Sequence, residues 1–126
     1  MHQSRLGVFV IDCKTADLAD AAAFWGAALG QEVRIDDDGK YARVGKNDRY
    51  PCVLLQAVDH ESRVHMDIET DDREAEAARL KKLGAKEIDR VKSWIIMEAP
   101  TGHRFCLIAP QGGDFPEGAA TWNGEG

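Results

Sequence analysis

Residues 18–30 read LADAAAFWGAALG, and residues 71–84 read DDREAEAARLKKLG. Both stretches close on the same pair, Leu29-Gly30 and Leu83-Gly84, 54 positions apart (84 − 30). In the first, Leu18, Ala22, Trp25 and Leu29 step by four, three and four, which is one face of a helix. That spacing makes Trp25 a core residue. Thr15 or Asp17 stands where a side-chain oxygen caps the first turn. Gly30 supplies the left-handed position that ends the helix. In the second stretch Asp71 or Asp72 caps a helix running to Leu83. Ala77, Leu80 and Leu83 form its inner side, Arg79, Lys81 and Lys82 its outer side, and Gly84 ends it.

Working outward, each helix follows one strand and precedes three. Leu6 to Ile11 is an apolar run ahead of the first helix. After it come Glu32 to Ile35, Lys40 to Val44 and Cys52 to Val58, separated by the acidic turn Asp36 to Gly39 and the loop Gly45 to Pro51. The second helix follows Val64-His65-Met66-Asp67-Ile68-Glu69, which alternates strictly. Val64, Met66 and Ile68 point one way; His65, Asp67 and Glu69 point the other. Glu87 to Val91, Ser93 to Glu98 and Arg104 to Ile108 then follow, with a turn at Ala99 to Gly102. A strand–helix–three-strand unit occurs twice, so the class is α+β with an internal repeat.

The chain has 126 residues, 44% hydrophobic and 30% charged, as expected of one globular domain. The domain is placed at residues 1–110, with repeats at about 5–58 and 63–110 and a glycine-rich tail at 111–126. Trp122 in that tail is either an exposed aromatic or one that packs back on the domain or on a partner chain. The net charge of −6, with basic residues scattered, argues against nucleic acid and against an anionic membrane surface. No run approaches the ~20 apolar residues of a membrane span, and the start lacks the features of a signal peptide. Cys13, Cys52 and Cys106 have no CxxC spacing and read as free thiols of a cytoplasmic protein.

Val10-Ile11-Asp12-Cys13, Phe24-Trp25 with Leu29-Gly30, Leu54-Leu55-Gln56, Val64-His65-Met66-Asp67, Leu83-Gly84-Ala85 and Trp94 with Pro100 to Cys106 occur in an order that resembles the vicinal oxygen chelate superfamily, which joins glyoxalases, bleomycin-resistance proteins and extradiol dioxygenases. Within it the chain is most similar to the glyoxalase-like domain subgroup, over about residues 5–110. The resemblance implies curved mixed sheets around a small-molecule cavity, helices on the outer faces, and a homodimer. It also implies four positions where metal-dependent members hold a divalent ion, and these fall near Arg5, near Gln56, on His65 and on Cys106. Only His65 keeps a usual ligand; a guanidinium has no lone pair to offer. Ala99 and His103 depart from the superfamily's turn.

The expected pocket wall is Arg5, Phe9, Gln56, His65, Asp67, Trp94 and Cys106, with no metal and no cofactor. His65 is the best candidate for a catalytic group. Its competing reading is a wall histidine bonded to a neighbouring carboxylate such as Asp67 or to water. Glu69 and Asp67 read either as a carboxylate pair flanking a ligand or as solvated surface, the latter most strongly for Glu69. A zinc site of His65, Cys106 and Gln56 and a nucleophilic Cys106 are further alternatives. The function implied is binding of a small organic molecule, of sequestration or resistance type. The alternative is a lyase, isomerase or dioxygenase with a remodelled metal site, or a metal-free one using His65.

Overall fold

A computed structural model describes residues 1–46, 51–111 and 114–123. Residues 47–50 of the expected loop, and 112–113 and 124–126 of the expected tail, lie outside the described residues. The elements run β1 (His2–Lys14), α1 (Ala19–Leu29), β2 (Val33–Ile35), β3 (Tyr41–Val44), β4 (Cys52–Val58), β5 (Arg63–Thr70), α2 (Arg73–Lys82), β6 (Lys86–Val91), β7 (Trp94–Glu98), β8 (Arg104–Ile108) and β9 (Ala120–Trp122). The fold is mixed α+β, with two repeats of strand, helix and three strands. Two compact units divide it: Val8–His65, and Met1–Gly7 with Met66–Gly126.

In the unit Val8–His65, residues 8–14 of β1 pair in parallel with β4, and β4, β3 and β2 follow as antiparallel neighbours. Leu18, Ala42, Val44 and Leu55 form the buried core, joined by Ile11, Cys13, Ala21, Ala22, Trp25, Val33, Val53 and Ala57. One face of this sheet is therefore spent on α1. Asp17 Oδ1 accepts from Ala19 N at 2.8 Å, but the capping position itself is Leu18, which makes no side-chain cap. Leu18 instead buries itself in the core. Gly30 adopts φ 66° and ends the helix. Leu29, expected inside, is exposed, because the core lies under the helix's first two turns.

In the other unit β5 pairs in parallel with β8, and β8, β7 and β6 are antiparallel neighbours. Ala77, Ile95, Met97, Phe105 and Leu107 form its core, with Ile68, Leu80, Ala85 and Ala99 packed on it. Asp72 caps α2, accepting from Ala75 N at 2.9 Å. Leu83, expected inside, is exposed at the helix end.

Arg79, expected outside, is held on the protein. It donates two bonds of 2.8 Å to Glu76 and lies 3.8 Å over the Trp122 ring. The tail creates that seat. β9 pairs antiparallel with residues 2–4 of β1, and Trp122 Nε1 donates to Ser4 Oγ at 2.9 Å. Glu76, fully buried, also meets His2 Nε2 at 2.8 Å. Burial pushes its carboxyl up, but hydrogen bonds with Arg79, His2 and Ser4 outweigh burial and hold it below the ordinary value of 4.5. A folded-state value below the unfolded one stabilises above pH 4.5 and loses that contribution as pH falls. Glu76→Gln is expected to cost about 1–3 kcal/mol at pH 7 and to flatten the acid limb of a stability–pH profile measured by urea unfolding.

Candidate functional site

Backbone pairing decides which residues share the sheet face turned away from α1. Ile11, Cys13, Val53, Leu55 and Ala57 belong to the helix side. Their alternates on β1, β4 and β3 point the other way. Asp12 pairs with Gln56 and Gln56 with Tyr41, so these three form one row across three strands. Phe9 shares the alternation of Ile11 and Cys13 and falls on the helix side, away from the expected pocket wall.

Asp12 is the centre of this row. It is 2% exposed, and its Oδ2 lies 2.9 Å from His65 Nδ1, 3.7 Å from Arg63 Nε and 3.9 Å from His60 Nε2. A neighbouring carboxylate such as Asp67, or water, was expected beside His65; the carboxylate bonded to its Nδ1 is that of Asp12. An ionised carboxylate only accepts hydrogen bonds, so His65 Nδ1 carries the proton and donates. In the neutral ring the lone pair then sits on Nε2. His60 is arranged differently: its Nδ1 donates to the Glu61 carbonyl at 2.8 Å. Asp12 Oδ1 is buried with no hydrogen-bond partner among the described residues. Buried carboxylate oxygens are normally bonded, so this atom marks where a donor group belongs. The neighbouring Cys13 thiol is pushed up, first by burial and then by the Asp12 charge, which keeps it a protonated core residue.

The second unit presents a matching face. Asp67 pairs with Cys106 and Cys106 with Ile96, one row across β5, β8 and β7. Trp94 shares the alternation of Ile96 and lies on the same face, with Lys92 Nζ 5.5 Å from its ring. Asp67 beside Cys106 thus repeats Asp12 beside Gln56. His65 precedes Asp67 by two residues on β5 and shares its alternation. An imidazole, a carboxylate and a thiol are the donor types that zinc accepts.

Arg5 and Glu69 have a different fate from the one expected. Arg5 Nε donates to Glu69 Oε1 at 2.8 Å, Nη2 to Asp114 Oδ1 at 2.8 Å, and Nη1 to the Glu117 carbonyl at 2.8 Å. The Gln111 N–H donates to Glu69 Oε2 at 2.7 Å, and the Phe115 ring lies 5.2 Å from the guanidinium. Glu69 is 2% exposed, so the solvated reading of it fails. Burial lowers the Arg5 value, but the bonds to Asp114 and Glu69 outweigh it and raise the value above the ordinary one. Gly7 is what admits the Glu69 side chain: a Cβ there would sit 2.3 Å from Glu69 Cγ. The position where a first metal ligand was expected therefore holds a cation locked in an ion-pair network. A four-ligand centre of the usual superfamily kind does not fit these residues.

The alternation of β5 also runs against ordinary amphipathic logic. Val64 is 61% exposed and Met66 is exposed, whereas His65, Asp67 and Glu69 are the less accessible set. The residues that sequence reasoning missed are Asp12, His60 and Arg63. A lone carboxylate within the apolar run Val8 to Cys13 was the available signal for Asp12.

The family model for the glyoxalase-like domain matches residues 8–108. No curated protein matches. Among solved structures, a homoprotocatechuate 2,3-dioxygenase variant from B. fuscum is similar at TM-score 0.60 and 16% identity, over 86% of this chain and 33% of that one. This chain thus spans about a third of that enzyme's length. The hypothetical protein BH1468 from Bacillus halodurans C-125 is similar at TM-score 0.59 and 14% identity, over 88% of this chain and 99% of its own. An Mn(II)-bound glyoxalase from Novosphingobium aromaticivorans gives TM-score 0.54 and 20% identity, over 83% and 38%. At these identities the likeness is one of fold.

Proposed function

Because this chain belongs to the glyoxalase-like domain family, a branch of the vicinal oxygen chelate superfamily, we propose that it binds a small organic molecule against Asp12, Gln56 and His65. The carrying observation is the 2.9 Å bond from His65 Nδ1 to the buried carboxylate of Asp12. That bond orients the ring and leaves Nε2 the basic nitrogen, suited to accept a proton or hydrogen bond from a ligand. Asp12 Oδ1 supplies a second acceptor beside it. Asp67, Cys106 and Trp94, also expected in the wall, share one face of the other unit's sheet. Sequestration- or resistance-type binding needs no more than this, and proton transfer by His65 is the enzymatic form of the same site. The proposal includes a cytoplasmic homodimer; the free cysteines suit a reducing compartment. No described helix is long and apolar enough to cross a membrane.

A thermal-shift screen of small organic compounds tests the reading. A ligand at 100 times its dissociation constant adds about 2.7 kcal/mol, and His65→Ala should abolish that gain. A ligand whose gain survives His65→Ala sinks the site.

A second reading is favoured by the Asp67–Cys106 pairing: a zinc ion held by these two and His65. Calorimetric titration of zinc into chelator-treated protein separates the two readings. We expect no stoichiometric submicromolar binding. Such binding, lost in both His65→Ala and Cys106→Ser, would select the metal reading instead.

A further inference from the structure

Arg34 and Arg43 stand directly opposite each other in the β2–β3 ladder. Their neighbours in the ladder, Val33, Val44 and Ala42, pack on the α1 side, so both arginines lie on the opposite face. That is the face of Tyr41, Gln56 and Asp12. Both are exposed, and neither makes an ion pair or a side-chain hydrogen bond among the described residues. The acidic turn residues Asp36, Asp37 and Asp38 lie at the end of β2 and share a shallow depression with Arg34. None of their carboxylates is within ion-pair distance of either guanidinium.

Like charges directly opposite in a ladder destabilise a sheet. Two guanidiniums in that arrangement, with no ion-pair partner among the described residues, on a chain of net charge −6, make a local cationic pair. Planar guanidinium forks match the geometry of carboxylate and phosphate oxygens. The next positions in the Arg34–Arg43 row are Leu54 on β4 and Val10 on β1, both apolar. The adjacent row is Tyr41, Gln56 and Asp12. Strands are ~4.8 Å apart and alternate residues ~6.6–7 Å apart along a strand. Arg43 and Asp12 are thus separated by two strand spacings and one alternate step, about 12 Å between backbones.

We propose that Arg34 and Arg43 hold the anionic end of the ligand, making it a small amphipathic organic acid. Its carboxylate or phosphate sits between the two guanidiniums. Its apolar body crosses Leu54, beside Tyr41. Its polar far end meets Gln56, Asp12 and His65. This inference rests on the ligand site proposed above and adds the chemical class of what enters it.

Calorimetry with benzoate, phenyl phosphate and benzyl alcohol tests it on the full chain. The two anions should bind at least tenfold more tightly than the neutral alcohol, and raising sodium chloride from 50 to 250 mM should weaken them. Arg34→Gln and Arg43→Gln should each weaken anion binding at least tenfold. Both side chains are exposed, so the variants should keep the wild-type circular dichroism spectrum. Arg43→Lys, which keeps the charge but loses the fork, should be intermediate. The preferred anion, benzoate or phenyl phosphate, identifies the oxyanion. Failure of both anions to bind overturns the proposal, as does equal binding of the alcohol or unchanged affinity in the double glutamine variant. His65→Ala distinguishes the two levels. If it leaves anion affinity unchanged while Arg43→Gln lowers it, the arginine site stands and the Asp12–His65 reading falls.

Discussion

Arg5→Met is expected to destabilise the protein by about 3–5 kcal/mol, the range for breaking a buried ion pair by removing one partner. The cost arises from what remains. Glu69 and Asp114 keep their charges, and Glu69 sits in a place nearly closed to water. The Gln111 N–H still serves Glu69 Oε2, but Oε1 loses its donor. The Glu117 carbonyl loses its donor too. Since a domain of this size is stable by only about 5–15 kcal/mol, much of the total disappears. Urea unfolding should show a lower midpoint at an unaltered slope. Glu69→Gln on top of Arg5→Met should restore part of the loss, because it removes the uncompensated charge. A loss below 1 kcal/mol for Arg5→Met would show that water reaches the network.

Asp12→Asn is expected to lower ligand affinity at least tenfold with little change of fold. The substitution conserves shape and inverts hydrogen-bond character. An asparagine amide can donate to His65 Nδ1, which then holds the lone pair while Nε2 carries the proton. A ligand group that donates to Nε2 loses its acceptor, and any proton transfer there loses its base. Nitrogen-15 spectra of the histidine rings read the tautomer without a ligand. In the wild type the neutral His65 ring should be protonated on Nδ1; in Asp12→Asn it should shift toward protonation on Nε2. An unchanged tautomer would mean that Asp12 does not orient the ring, and the site would lose its organising contact.

The repeat and most element limits were legible because local signals state them. Gly30 and Gly84 stand at the ends of their helices, Asp72 caps α2 as read, and β4 and β8 begin and end where their apolar runs do. These features depend on residues near each other in the chain. β9 was not legible: three residues after a glycine-rich stretch have no periodicity of their own, and they become a strand only because the start of β1 offers an open edge. Arg79 misread for the same reason, since its apolar seat is Trp122, more than forty residues away.

The site divides along the same line. From one sequence, His65, Gln56, Asp67 and Cys106 could be named as polar residues on strands, and the failure of Arg5 as a metal ligand followed from its chemistry alone. What sequence could not determine was partnership. His65 bonds to Asp12, 53 positions away, and no local reading of either strand names that partner. Glu69 looked solvated because a charged strand residue is cheap only in water or beside a counter-ion, and its counter-ion lies 64 positions away, admitted by the missing side chain of Gly7. Sequence by itself determined two βαβββ repeats. Tertiary structure alone decided which charges are paired within the fold, at Arg5 and Glu69, and which two guanidiniums stand opposite each other with no ion-pair partner among the described residues, at Arg34 and Arg43. Ladder register sets that division, and register is a property of strands meeting, not of either strand's own residues.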